Sequence, residues 1–145
     1  MYKLKVEARN AFGFSIAFSN EVVVRAAKIP DPPMNLANDP SVTAAGVLGF
    51  SWTLGLYNGG SPIIDYRISY RKDAEAFAYL ASGVTATTYQ AGSFLTNALY
   101  TIKIESRNLI GYSTFSTEIV IRSAARPTPP STPTTTVISN TGVKI

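Results

Sequence analysis

The 145 residues carry 13 Lys+Arg against 9 Asp+Glu, for a formal charge of +4, and 46% of them are hydrophobic, a composition that sustains a packed core and excludes a disordered chain. Cys and His are both absent, which removes disulfides, thiolate and imidazole metal sites and the commonest general base, and so argues against an enzyme or a cofactor protein. The charges alternate in sign (Lys3, Lys5, Glu7, Arg9; Lys103, Glu105, Arg107) instead of forming the basic stripe of a nucleic-acid binder, and the most apolar window, Ala44 to Tyr57, is too short for a membrane span of about 20 residues.

The first predicted element is already half of a repeat. Tyr2 to Ser15 matches Tyr100 to Ser113 at a constant offset of 98, with Tyr, Lys, Glu, Arg, Asn, Gly and Ser coinciding. After one deletion the match continues at an offset of 97, pairing Ser19 with Ser116, Glu21 with Glu118, Val23 with Val120, Arg25 with Arg122, Pro30 with Pro127 and Pro33 with Pro130. Solenoid repeats run to about 20 to 50 residues, so a period of this size is a whole domain. The chain therefore reads as three pieces. Residues 1–29 are the last two strands of one unit, 30–126 a complete unit, and 127–145 a linker with the first strand of a third and the start of its second. Proline clusters (Pro30, Pro32, Pro33; Pro127, Pro129, Pro130, Pro133) mark both ends of the complete unit and predict short, semi-rigid linkers.

Within that unit the strong segments alternate with period two and are rich in β-branched and aromatic residues, the pattern of half-buried strands. In chain order, Leu48, Phe50 and Trp52 share an inward face; Ile64, Tyr66, Ile68 and Tyr70 share a second; Tyr100, Ile102 and Ile104 a third; Ile119 and Ile121 a fourth. Arg67, Arg71, Lys103, Glu105 and Arg122 fall on the opposite phase and are expected to face water. Short strands separated by Gly, Pro and Asn turns predict an all-β, immunoglobulin-like, two-sheet antiparallel sandwich of about seven strands.

Trp52 closing the second strand, Asn58-Gly-Gly-Ser-Pro-Ile63 leading into Tyr66-Arg-Ile-Ser-Tyr70, Leu95 before Tyr100, and Asn108-Leu-Ile-Gly-Tyr-Ser113 together resemble a fibronectin type III domain. The resemblance covers the complete unit and both flanking pieces. It implies that Trp52 fills the core between the sheets and that Tyr100 forms a corner with the loop before its strand, with Tyr2 as its counterpart upstream. Two departures stand out: the Leu95 to Tyr100 spacer is a residue short, and Asp73 to Gly83 is Ala-rich and weakly patterned.

Two groups are candidate interaction sites. The loops carrying Asn58, Gly59, Gly60 and Ser61, and Asn108, Gly111 and Tyr112, offer backbone donors and left-handed glycines, which the needs of tight turns also explain. Arg67, Arg71, Lys103, Arg107 and Arg122 form a basic face for an acidic ligand, or else pair across strands with Asp65, Glu105 and Glu118. No pair of carboxylates has the spacing of metal-binding or acid–base chemistry, so no catalytic or metal residue, and no cofactor, is expected.

The expected function is that of a structural or adhesive repeat: a spacer and protein-interaction surface whose partners are its chain neighbours, other copies or other proteins, with neither nucleic acid nor membrane insertion. Outside the cell, or on its surface, is the expected setting ahead of a cytoplasmic filament. Two alternatives stand beside it. One is a filament subunit joined head-to-tail through the unpartnered end strands. The other is an accessory module of a larger receptor or enzyme.

Overall fold

The computed structural model describes residues 1–125, 127–134, 136–139 and 142–144; Arg126 and Ile145, which bound pieces of the sequence reading, lie outside them. Thirteen strands follow one another among these residues. β1 (Tyr2–Leu4), β2 (Arg9–Asn10), β3 (Gly13–Phe14) and β4 (Val22–Val24) come first. β5 (Met34–Asn38), β6 (Leu48–Thr53), β7 (Asp65–Lys72), β8 (Ala78–Val84), β9 (Thr88–Ala91), β10 (Leu99–Arg107) and β11 (Ile119–Arg122) make the sandwich, and β12 (Thr136–Ser139) and β13 (Gly142–Lys144) close the chain.

The seven central strands form two antiparallel sheets, one in the order β11-β10-β7-β8 and the other β5-β6-β9, as the alternation predicts. Their inner faces meet in a single core. Leu48, Phe50 and Trp52 of β6, Tyr66 and Ile68 of β7, Tyr100, Ile102 and Ile104 of β10, and Ile121 of β11 are buried together with Leu36. Tyr70 and Ile119 are only partly buried and pack at its margin. Trp52 stands edge-on to Tyr66 with ring centroids 5.3 Å apart, and Phe94 is edge-on to Tyr100 at 4.7 Å, arrangements that favour the ring quadrupoles beyond simple burial.

Two placements correct the sequence reading. Ile64 does not share the inward face of Tyr66: it precedes β7, is 48% exposed, and the partly buried Ile63 packs against the core instead. Glu105 does not face water, being only 6% exposed beneath Arg67. The weakly patterned stretch before Gly83 holds β8, which pairs with β7 through two register shifts. Such bulges let an irregular strand keep its inner residues on the core.

The N-terminal piece copies β10 and β11 in detail. β1 pairs with β4 in the register Tyr2↔Val24, Lys3↔Val23, Leu4↔Val22, and the sandwich repeats it as Tyr100↔Ile121, Thr101↔Val120, Ile102↔Ile119. Two serine rungs recur as well. Ser113 Oγ accepts from the Ser106 amide and Ser116 Oγ from the Ile104 amide, and Ser15 and Ser19 do the same for Ala8 and Val6. What differs is burial: Ile102 and Ile104 are sealed, whereas their counterparts Leu4 and Val6 are exposed.

Candidate functional site: a seat for the linker and a cation-aromatic face

The loops singled out from the sequence converge on one partner, and it is the chain itself. The linker from Ala26 to Pro33 runs against the loop between β6 and β7. The Lys28 amide donates to the Gly59 carbonyl (2.9 Å) and the Asp31 amide to the Tyr57 carbonyl (2.8 Å). From the other side, Asn108 Nδ2 donates to the carbonyls of both Lys28 (2.7 Å) and Asn58 (2.9 Å), so one buried amide group ties linker to loop. Ser106 Oγ donates to the Asp31 carbonyl at 2.9 Å, Lys28 Nζ lies over the Tyr57 ring, and Pro30 and Pro33 are buried.

Local sequence builds each jaw of this clasp. Asn58 Oδ1 accepts from the Gly60 amide, and Asn108 Oδ1 accepts from the amides of Ile110 and Gly111, two Asx turns that fix both side chains before they meet the linker. Gly59 has φ +76°, and a Cβ there would lie 2.7 Å from Asn108 Nδ2, 2.8 Å from the Ile29 carbonyl oxygen and closer still to that of Lys28. Its side chain is excluded by the linker as well as by its backbone angle. An open cavity of about 570 Å³ flanks the seat, lined by Asp31, Leu54, Leu56, Tyr57, Pro62 and Ile63 among others.

Of the seven loop residues, Asn58, Gly59, Gly60, Asn108 and Gly111 gather at the seat. Ser61 is buried beside them, and Tyr112 belongs elsewhere. Gly111 has φ +155° and Gly13 φ +138°, both on the positive side of φ that favours glycine.

The basic face is not a free patch. On the outer side of the four-stranded sheet, Arg67 Nε reaches Glu105 at 2.8 Å while its guanidinium is sandwiched between the rings of Tyr112 (3.9 Å) and Tyr79 (4.7 Å). Arg107 is bidentate to the buried Asp65, with Nε at 2.8 Å from Oδ1, and Arg71 reaches Glu118. Hydrogen bonding to these carboxylates raises the pKa of Arg67 and Arg107 above the ordinary arginine value. Lys103 Nζ has no carboxylate but lies between Phe77 (3.7 Å) and Phe115 (3.9 Å). Arg122 stands at the far end of the sheet and donates to Asn97. Four of the five cations are thus held in an interlocked layer of rings and carboxylates. Among the described residues no group of three or more Asp and Glu could hold a metal ion.

Seven strands in two antiparallel sheets, a Trp between them, and a Tyr whose hydroxyl accepts from the Leu95 amide at 3.0 Å define the architecture. The fibronectin type III domain model matches residues 31–122, well over half of the chain. The chain belongs to the fibronectin type III family. Solved structures agree on the fold. A crystal structure of a run of titin domains matches 84% of this chain and 40% of its own length, at 22% identity and a TM-score of 0.71. The kinase region of C. elegans twitchin matches over 72% of this chain and 18% of its own length (17% identity, TM-score 0.61). Titin kinase with its flanking domains matches over 63% and 16% (22% identity, TM-score 0.59). The chain thus spans less than half of each of these multidomain structures, and the likeness is one of fold alone. Fibronectin type III domains are generally non-catalytic modules of larger proteins.

Proposed function

We propose that this chain is a non-catalytic spacer module seen in its array: the final hairpin of one unit through residue 29, a complete unit over 30–126, and the linker and first strands of a third over 127–145. Its work is to hold neighbouring units at a set spacing while offering its surfaces to other proteins. The observation that carries this reading is the N-terminal hairpin, which reproduces the hydrogen bonds and register of β10 and β11 while its inward residues stay bare. A strand pair that carries core residues without a core is the end of a sandwich whose other strands lie upstream. The linker seat then supplies fixed spacing, since residues 28–31 are hydrogen-bonded to the unit they lead into.

The test is to extend the chain upstream along its own gene by one repeat. The expected outcome is a second cooperative thermal transition, together with weaker hydrophobic-dye binding than that of the 145-residue chain, in which Tyr2, Leu4 and Val6 are exposed. If dye binding persists and no second transition appears, the hairpin does not belong to an upstream sandwich and the array reading fails. Concentration-dependent polymerisation of the 145-residue chain, abolished by Leu4→Lys with Val6→Lys, would instead favour a filament subunit.

A further inference from the structure

Each sheet of the sandwich has two edge strands, β8 and β11 in one and β5 and β9 in the other. An unpaired edge recruits other strands unless charge, proline, a bulge or a covering element blunts it. β5 follows Pro33, has a register shift with β6, carries Asn35 at φ +53°, and lies against β11. β11 is preceded by Glu118 and ends in Arg122. β8 pairs with β7 through two register shifts and contains Gly83 at φ +71°. β9 has none of these features. Its register with β6 runs unbroken from Thr88 to Ala91, and from Ala76 to Ile102 the sequence contains neither a charged residue nor a proline. Only its shortness blunts it.

The hydrogen bonding of β9 fixes which of its groups are free. The Trp52 amide donates to the Thr87 carbonyl, so these two residues are a bonded pair, and bonded pairs alternate along an antiparallel ladder. Phe50 with Tyr89 and Leu48 with Ala91 come next, which turns the backbone N–H and C=O of Thr88 and Gln90 away from β6. Both residues are exposed, and among the described residues no hydrogen bond reaches those groups. Both linkers join the opposite flank of the sandwich. The upstream one leads into β5, at the far edge of the same sheet, and the downstream one leaves β11, which lies beside β5.

We propose that β9 is a pairing edge for a second copy of this chain, the two β9 strands running antiparallel about a two-fold axis and joining their three-stranded sheets into one. Charge selects a copy of the chain itself as the occupant. A two-fold contact sets one surface against the same surface, and an uncharged run meets itself without repulsion although the whole chain carries +4. Asp39 shares a shallow hollow with Thr88 and Gln90, but it follows β5 and so stands at least about 24 Å from its mate across the axis, beyond the screening length. The register follows from the free groups. Facing residues share a face of the sheet, so an axis through Tyr89 sets Thr88 opposite Gln90 of the copy and Gln90 opposite Thr88. Each pair then exchanges both of its backbone hydrogen bonds, with hydroxyl beside amide on the outer face. The pairing involves one complete unit and stands whether or not further units lie upstream.

The experiment is sedimentation of the 145-residue chain over a concentration series, in a Leu4→Lys, Val6→Lys background that silences the exposed N-terminal hairpin. The expected result is a reversible monomer–dimer equilibrium. Gln90→Pro removes an outward N–H from each copy while leaving the bonds to β6, and should weaken dimerisation at least about tenfold. Thr88→Lys with Gln90→Lys should abolish it, and so should Thr88→Glu with Gln90→Glu. Mixing those two variants should restore it, because the register sets each lysine against a glutamate. Trp52 emission, unchanged in every variant, shows that the sandwich is intact. A chain that stays monomeric throughout overturns the proposal. So does a dimer that the paired lysines leave intact, or one that mixing fails to restore.

Discussion

Gly59 and Gly60 have nearly the same backbone angle, φ +76° and +80°, but very different surroundings, and that difference separates what the turn needs from what the linker needs. An alanine at either position pays for a left-handed conformation, on the order of 1 kcal/mol. At Gly60 the new methyl meets its nearest neighbour, the Ala26 carbonyl oxygen, at 3.2 Å, which a small shift relieves. At Gly59 it collides with the linker backbone and with Asn108 Nδ2, so the linker must move away from the loop at Lys28 and Ile29. Two hydrogen bonds go with it, Lys28 to Gly59 and Asn108 to Lys28, each worth about 1 kcal/mol. Gly59→Ala should therefore cost about 3 kcal/mol and Gly60→Ala about 1. Urea unfolding followed through Trp52, the only tryptophan, measures both, and amide exchange at Lys28 and Asp31 reports the seat directly. Equal losses in the two variants, or an undiminished protection of Lys28 in Gly59→Ala, would refute the reasoning.

Tyr100→Phe removes only the acceptor of the Leu95 amide and should cost about 1–2 kcal/mol by the same urea assay; a loss below about 0.5 would mean the corner contributes no net stability. Tyr66 gives a pH dependence. Burial raises its pKa above the ordinary 10.0, partly offset by the nearby Trp52 indole, and neither the hydroxyl nor the indole N–H completes a hydrogen bond. A raised folded-state value means the contribution is fully present below pH 10.0 and is lost as the pH climbs through that raised value. The unfolding midpoint should thus fall more steeply above pH 10.0 in the parent than in Tyr66→Phe, and parallel curves would show that another group titrates.

The sandwich was legible because its strands obey period two where it matters. In β6 and β10 every inward residue named from the pattern is buried. The pattern overreached at Ile64 because alternation continues in the sequence beyond the point where β7 begins, and only pairing with β10, which starts at Asp65, marks the boundary. Glu105 was misread for a different reason. Phase predicts which way a side chain points, but not that Arg67 and two tyrosines will roof it over.

The seat was half legible. Asn58-Gly59-Gly60 and Asn108 announced unusual turns, but their partner is a linker some 30 to 80 residues away, and no local rule pairs them. One signal was available: Asn108 recurs as Asn10, and Asn10 Oδ1 accepts from the Phe12 amide as Asn108 does from that of Ile110. A turn kept in two units along with its asparagine points to a job for the free end of that amide.

The seat also determines how the chain yields when its ends are pulled apart. Tension arriving from upstream passes through Lys28 and Asp31 before it reaches β5, so the clasp by Gly59, Tyr57 and Asn108 is loaded ahead of the first strand. Peeling residues 26–31 away frees a segment whose fully extended length is about 20 Å at 3.3–3.6 Å per residue, without opening the core. On relaxation the two Asx turns, still formed, can receive the linker again. The seated linker thus stands as a short reversible element in series with the sandwich, loaded ahead of the ladder between β5 and β6.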